Sequence, residues 1–439
     1  MKACTNHSPE QTIAAHGQDA VAWRRNLHQH PQPCWREFYA TGLVAEKLSD
    51  WGYRVLQGRD VIAPEGQLRL PGPEQLQAEY DRALQDGAKE AFLAPARGGF
   101  TGVVGLLEGR SPGPTVAFRF DIDSNEVIES SEPSHRPARE GFASRYPGYA
   151  HMCGHDAHMA IGLLLARHFA ENRERIQGKV KLLFQPSEEG GCGAQAMIDR
   201  GHLEDVDYLF GGHVGLALKA AGQIALNVHS FLALSRFEVT YTGRATHAGL
   251  RPDEGKNALL GACVAVTNLY AIARHGLGAS RINVGVLQAG TAWAVIAERA
   301  SFQMETRGVT NEINAYMIAR ARAVLEGAAR MYDLGLEITP AGTCICADNS
   351  PDLVELGTRV AATLPSVTEI VPETAFYASE DVTVMMERVQ NRGGKALFVL
   401  LGTPISGGHH SATFDIDERV IPNGAEFFAA LYNAVLTSG

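Results

Sequence analysis

Apolar residues near the start of the chain recur at three- and four-residue spacing, which predicts helices over Ala20–Gln29 and Glu37–Trp51, the second stopped by Gly52. Residues 59–99 break this pattern. There a Pro/Gly-rich turn, Leu70-Pro-Gly-Pro73, leads into a predicted helix, Glu74–Phe92, so the stretch reads as an insertion carrying its own helix. Short apolar runs over 101–107, 115–120, 179–184 and 208–212 then read as strands. Helical patterns over Ala157–Ala170 and Gly193–Arg200 fall between them. That alternation predicts an α/β fold whose large sheet, parallel or mixed, is flanked by helices.

Near residue 230 the pattern changes. Ser235–Thr242 alternates like a half-exposed strand, and a helix (257–273), two strands (282–288, 300–305), a long helix (311–331) and a last strand (334–339) follow. This β-α-β-β-α-β order predicts an open sheet with two helices on one face, a ferredoxin-like split βαβ module. After Ala347 the α/β pattern returns, with helices over 351–364, 380–389 and 420–436 and a strand over 396–402. The expected organisation is a large catalytic domain in two parts, 1–230 and 344–439, with a lid or dimerisation domain, 231–343, inserted between them.

At 439 residues and 45% hydrophobic the chain can bury a large core and exceeds the usual size of one domain. Its net charge of −10, with no basic run, argues against nucleic acid and anionic membranes as partners. No apolar stretch reaches the roughly 18–20 residues of a membrane span, and residues 1–20 are polar, without a signal-peptide core. The seven cysteines are scattered and odd in number, which fits thiols in a reducing cytoplasm better than a disulfide framework. Cys344 and Cys346 alternate on a strand-like segment. A redox or metal pair is one reading of them, and two small, partly buried strand residues is the simpler one.

The chemistry concentrates in His151-Met-Cys153-Gly-His155-Asp156-Ala-His158, which packs three histidines, a cysteine and an aspartate into eight positions. A surface His tract would look the same in isolation. Its surroundings point elsewhere: the neighbouring strands end in Asp121-Ile-Asp123, in Gln185-Pro-Ser-Glu188-Glu189-Gly190 and in His213. Ligands gathered beyond the carboxyl ends of strands describe an α/β enzyme site. The C-terminal run Gly407-Gly408-His409-His410-Ser411 reaches the same pocket if that segment completes the sheet.

These runs, together with Thr246-His247-Ala248-Gly249, occur in order over nearly the whole chain. They resemble the metal-dependent amidohydrolases of the hippurate hydrolase and auxin-conjugate hydrolase type, relatives of aminoacylases and glutamate-releasing carboxypeptidases. The insertion at 59–99, with phrases such as Ser134-His-Arg-Pro137 and Glu305-Thr-Arg307-Gly308, is most similar to the branch that hydrolyses p-aminobenzoyl-glutamate. The resemblance implies cleavage of an N-acyl or N-aroyl amino acid amide, with hippurate- or acetyl-amino acid deacylation as the alternative. A degenerate, non-catalytic binding protein is the reading outside enzymes.

The ligands that the resemblance implies are Cys153, bridging two divalent ions, with His155 and His213 on one ion and Glu189 and His410 on the other. His409 is the rival for the last place; His410 is chosen because the family's histidine directly precedes a serine or asparagine. Mixed S, N and O donors suit zinc, manganese or cobalt, and the resemblance tilts the choice to Mn2+ over Zn2+. Glu188 is implied as general acid/base. Of the remaining Asp121, Asp123, Asp156 and His158, one or more of the aspartates is expected to accept the second N–H of a metal-bound imidazole, with direct ligation the lesser alternative. His247 is implied to come from a partner subunit to hold the oxyanion, and Asn257 and Arg307 to grip the substrate carboxylate. An unremarkable loop histidine and a surface salt-bridge arginine are the bland alternatives. A dimer through the small domain follows, either a homodimer or, for this branch, a heterodimer with a paralogous B subunit.

Overall fold

In the computed structural model, which describes residues 9–437, the first half of the chain runs α1 (Pro9–Gln29), α2 (Phe38–Asp50), β1 (Arg54–Gln57), α3 (Pro73–Gln85), α4 (Glu90–Leu93), β2 (Val103–Glu108), β3 (Ser111–Asp121), α5 (Arg136–Glu140), α6 (His155–Glu171), β4 (Gln177–Gln185), α7 (Gly193–Asp199), β5 (Tyr208–Val214) and β6 (Gln223–His229). Next come β7 (Ala233–Thr242), α8 (Ala258–Tyr270), β8 (Ser280–Ala289), β9 (Arg299–Gly308), α9 (Asn311–Met331) and β10 (Gly335–Cys344). The last stretch holds α10 (Pro351–Ala361), β11 (Glu369–Ala375), α11 (Val382–Gln390), β12 (Lys395–Leu401), the short β13 (Ile405–Ser406) and β14 (Asp415–Ile416), and α12 (Val420–Thr437).

The chain forms two compact units. One takes the chain up to His229, Ala347–Phe376 and the chain from Val382 onward; the other takes Ser230–Cys346 and Tyr377–Asp381. The larger unit is built on an eight-stranded mixed sheet, ordered β1-β2-β4-β3-β5-β12-β6-β11. Its middle strands β4, β3, β5 and β12 are mutually parallel, so their carboxyl ends open on one side of the sheet. These strands are nearly continuous apolar runs, as sheets covered on both faces require. Val180, Leu182, Leu183 and Phe184 of β4 are all buried, and Phe118 and Phe120 of β3 pack among Phe169, Phe184, Phe210 and Phe428. Helices α1, α6 and α12 pack against one another and contribute to the same core.

The insertion differs from the single helix its pattern suggests. Gly87 takes φ +100°, and the chain breaks into α3 and the one-turn α4. Leu76, Tyr80 and Ala83 form the inner face of α3 and meet Phe38 and Tyr39 of α2, with the Phe38 and Tyr80 rings edge-on at 5.5 Å. The insertion is thereby docked on a satellite core of its own.

The smaller unit is a four-stranded antiparallel sheet, ordered β10-β7-β9-β8. Along β9 every second residue is buried (Ala300, Phe302, Met304, Thr306, Gly308), the period-two signature of a sheet covered on one face. Residues of α8 and α9, such as Ala262, Ala265, Met317 and Leu325, join Val239 and Phe302 in its core. No described helix is long and apolar enough to cross a membrane.

Candidate metal centre

The parallel strands deliver the site. Asp121 is the last residue of β3, Gln185 ends β4 and leads into the loop carrying Glu188 and Glu189, and His213 lies one residue from the end of β5. Cys153 precedes α6, and His155 is the first residue of that helix. Gly154 between them takes φ +98°, and a Cβ there would lie 2.5 Å from Val214 Cγ2, so only glycine fits. Beyond β12, His410 sits at φ +63° and its backbone N–H donates to the Met152 carbonyl at 2.7 Å, which ties the C-terminal loop to the cysteine run.

Cys153 Sγ lies 3.4 Å from His213 Nε2. Donor atoms of Cys153, His155 and Glu189 all fall within 4.8 Å of one another, as do those of Cys153, His213 and His409. Cys153 is thus common to two adjoining donor sets. His410 Nε2 is 3.1 Å from Glu189 Oε1, and Glu188 Oε2 is 3.8 Å from His155 Nε2. The five expected ligands and Glu188 therefore meet in one place in the larger unit, and His409 joins them.

The supporting hydrogen bonds fix which nitrogen each imidazole offers. His155 Nδ1–H donates to Asp123, to the carbonyl oxygen at 3.0 Å and to Oδ1 at 3.2 Å, leaving Nε2 buried without a hydrogen-bond partner. His213 Nδ1–H donates to the Val214 carbonyl at 2.9 Å, so its Nε2 faces Cys153. His409 Nε2 is also buried and without a partner. His158 is committed on both sides: Nδ1–H donates to Asp121 at 2.6 Å, and Nε2 accepts the Val214 N–H at 3.0 Å. Buried polar atoms are seldom left unpaired. The orphaned Nε2 of His155, beside a thiol and a carboxylate, fits a bound divalent cation.

The electrostatics agree. Burial alone would raise the Glu189 carboxyl, yet hydrogen bonding to His410 and the nearby His155 bring it down to about 2. Hydrogen bonds to Cys153 and Glu189 push His410 up to about 10. Burial and then Glu189 raise the Cys153 thiol, so a thiolate here needs a cation beside it. Burial, with the neighbouring histidines adding to it, takes His213 well below its usual range and His409 to about 4.

Three residues that sequence reasoning passed over complete the site. Asn125 donates to Glu189 Oε1 at 2.6 Å and accepts the Met152 N–H at 2.9 Å. Its place two residues past Asp123 was the available signal. Glu37, buried just before α2, accepts the N–H of Ser187 at 2.8 Å and the Thr101 hydroxyl at 2.6 Å, holding the glutamate loop at its strained Ser187, φ +55°. Burial and then Asp123 push the Glu37 carboxyl up to about 8. No sequence signal links Glu37 to a loop 150 positions away. Arg119, fully buried, donates to Asp121 Oδ2 and Gln185 Oε1, both at 2.7 Å, and joins the ends of β3 and β4.

His247, Asn257 and Arg307 lie in the smaller unit. His247 is exposed in the loop after β7, where its Nδ1 accepts the Gly249 N–H at 3.1 Å. Asn257 caps α8, its side-chain oxygen accepting the Leu260 N–H at 3.2 Å. Arg307, on β9, donates to Glu305 at 2.8 Å.

A mixed α/β sheet that gathers thiol, imidazole and carboxylate donors beyond its parallel strands is the framework of a metal site. The chain belongs to peptidase family M20/M25/M40, which it matches over residues 117–434. It is 43% identical over 412 residues, 94% of each chain, to the indole-3-acetyl-aspartic acid hydrolase of Enterobacter agglomerans. It is 42% identical over 408 residues, 93% of each, to one of the named subunits of the p-aminobenzoyl-glutamate hydrolase of Escherichia coli. Its structure is similar to that of the aminobenzoyl-glutamate utilization protein of Klebsiella pneumoniae, with a TM-score of 0.82 and 37% identity over 96% of this chain and 97% of that one.

Proposed function

We propose that the chain hydrolyses the amide bond between an aromatic acid and an acidic amino acid, with p-aminobenzoyl-glutamate, giving p-aminobenzoate and glutamate, as the favoured substrate. The single observation carrying this is the pair of relatives above 40% identity along almost their full lengths, whose names both describe such amides. The donor cluster around Cys153 supports the hydrolytic part.

In this reading Cys153, His155, His213, Glu189 and His410 would hold two divalent ions, with Cys153 common to both ligand sets. His410 is preferred over His409 because it already contacts the Glu189 carboxylate. When bound, two such ions lower the pKa of a shared water and polarise the scissile carbonyl. Mn2+ is the favoured pair, with Zn2+ the alternative. Glu188 takes the water's proton and passes it to the departing amine nitrogen. Asp123 holds His155 and the Glu189 backbone together, so that Glu188 faces the reacting atoms from a fixed loop. Asn257 and Arg307 bind the free carboxylate of the substrate. His247, supplied by a partner chain, stabilises the oxyanion. That partner is a second copy or a paralogous B subunit, joined through the smaller unit acting as lid and dimerisation domain; the Escherichia coli relative is itself named as one subunit of its enzyme, which supports the second form. The cytoplasm is the proposed compartment, consistent with six free described cysteines.

A turnover screen decides the substrate. Metal-stripped protein, restored separately with Mn2+ and Zn2+, is given N-acyl and N-aroyl amides of glutamate, aspartate and neutral amino acids. Preference for aroyl-glutamates is expected. Preference for indole-3-acetyl-aspartate would favour the other relative's activity, and preference for acetyl or neutral amino acid amides would favour a general deacylase.

A further inference from the structure

We propose that the insertion supplies one wall of a pocket for the aromatic acyl half of the substrate, with Leu68 as the residue that sets acyl specificity. This rests on the N-acyl amino acid hydrolase reading and adds to it a role for residues 59–99. A cavity of about 330 Å³ opens beside Glu189 and His410, lined by Leu68, Arg69 and Pro71 of the insertion together with Trp35 and Val127. It lies wholly within the larger unit.

The wall is built, not incidental. The buried Trp35 indole N–H donates to the Leu68 carbonyl at 2.7 Å, and Gln67 donates to the Gly99 carbonyl at 2.7 Å, which closes the insertion upon itself. Gly66 packs so closely that a Cβ there would lie 2.6 Å from the Ala196 Cα, which seats the segment on α7 behind the glutamate loop. Of eight described non-glycine residues with positive φ, three line this one cavity: Trp35 at +61°, Arg69 at +56° and His410 at +63°. Strained backbone persists where surrounding structure enforces a particular shape, and it clusters at ligand sites.

The chemistry of the lining selects the occupant. Arg36 in the lining already donates to Glu126 at 2.6 Å, so that guanidinium is engaged within the wall. Among these polar groups Leu68, Pro71, Trp35 and Val127 offer apolar contact for a ring. The volume is at the small end of ligand pockets, which run from about 300 to 1,000 Å³, and admits one ring or a fused pair. An aryl group placed there carries its carbonyl toward the donor cluster at Glu189.

The test uses full-length, metal-loaded protein with Leu68→Trp, and Val127→Trp, also in the lining, as a second variant should the first fail to fold. Each is assayed on glutamate amides bearing acetyl, benzoyl, p-aminobenzoyl and indole-3-acetyl groups, and titrated calorimetrically with benzamide, which carries no amino acid. Filling the pocket should lower kcat/KM for the aryl amides about tenfold or more relative to the acetyl amide, and weaken benzamide binding in parallel. Equal losses on acetyl and aryl amides, or unchanged benzamide affinity, would overturn the proposal. If the wild type cleaves none of the amides, the substrate reading fails, and the benzamide titration alone decides the pocket.

Discussion

Asp123 receives the Nδ1–H of His155 on its carbonyl oxygen at 3.0 Å and on Oδ1 at 3.2 Å, and these contacts leave His155 presenting its other nitrogen, bare and buried, to the donor cluster. The second carboxylate oxygen of Asp123 accepts the Glu189 backbone N–H at 2.9 Å, so a single side chain orients two neighbouring donors carried on separate segments.

Removing Asp123 is therefore expected to weaken metal binding without deleting a ligand. Asp123→Ala should raise the dissociation constant about 10- to 100-fold, the usual cost of losing a carboxylate behind a metal-bound imidazole. Competitive chelator titration measures it, and wild-type affinity would show that the contact does not set the imidazole. In the same assay His410→Ala should lose one ion while His409→Ala keeps both; the reverse would exchange their roles.

Glu188→Gln should retain metal and lose turnover. The amide is isosteric but cannot accept a proton, so a fall in kcat of at least about 10²-fold is expected alongside unchanged metal content by elemental analysis. An active variant removes Glu188 from the proton-transfer role.

The smaller unit yields two kinetic expectations. Arg307→Ala should raise KM for carboxylate-bearing substrates and leave carboxylate-free amides unaffected, because a guanidinium can bind both carboxylate oxygens at once. A mixture of His247→Ala and Cys153→Ala chains should recover part of the activity that each lacks alone, since one hybrid site then has both intact contributions. No recovery on mixing would place His247 and the cysteine in the same chain's site, or His247 outside the chemistry.

Away from the ligands, buried His28 donates through Nδ1 to Asp156 at 2.8 Å and through Nε2 to Glu129 at 3.0 Å. Burial opposes its charge, yet these two carboxylates prevail and raise its pKa to about 9. A folded value above the unfolded 6.5 means that the stabilisation is full below pH 6.5 and is lost as pH rises through about 9. The shift corresponds to about 3 kcal/mol. His28→Asn should thus differ most from the wild type in denaturant unfolding near pH 6 and least near pH 10; a difference constant with pH would refute this origin.

Much of the architecture was legible because its cues are local. The helix expected at 311–331 is found at Asn311–Met331, with Thr310 accepting the Ile313 N–H as its cap. The β-α-β-β-α-β order was readable because period-two and period-3.6 patterns alternate cleanly there. Strand β11 was missed, since Pro372 lowers its strand character; the structure places it at the edge of the sheet, the position that tolerates a proline. The break at Gly87 was hidden inside an otherwise continuous helical pattern.

By itself, then, the sequence determined most of the element types, the donor inventory and the strand ends that deliver Asp121, Glu189 and His213, because periodicity and motif spacing are properties of short segments. Only the tertiary structure decided which nitrogen of each histidine is free, that His158 is committed to Asp121 and Val214, and that Asn125 and Glu37 hold the glutamate loop. Most of those roles depend on hydrogen bonds between residues distant in the chain, such as His155 to Asp123 across 32 positions and Ser187 to Glu37 across 150, and these contacts exist only once the strands have paired.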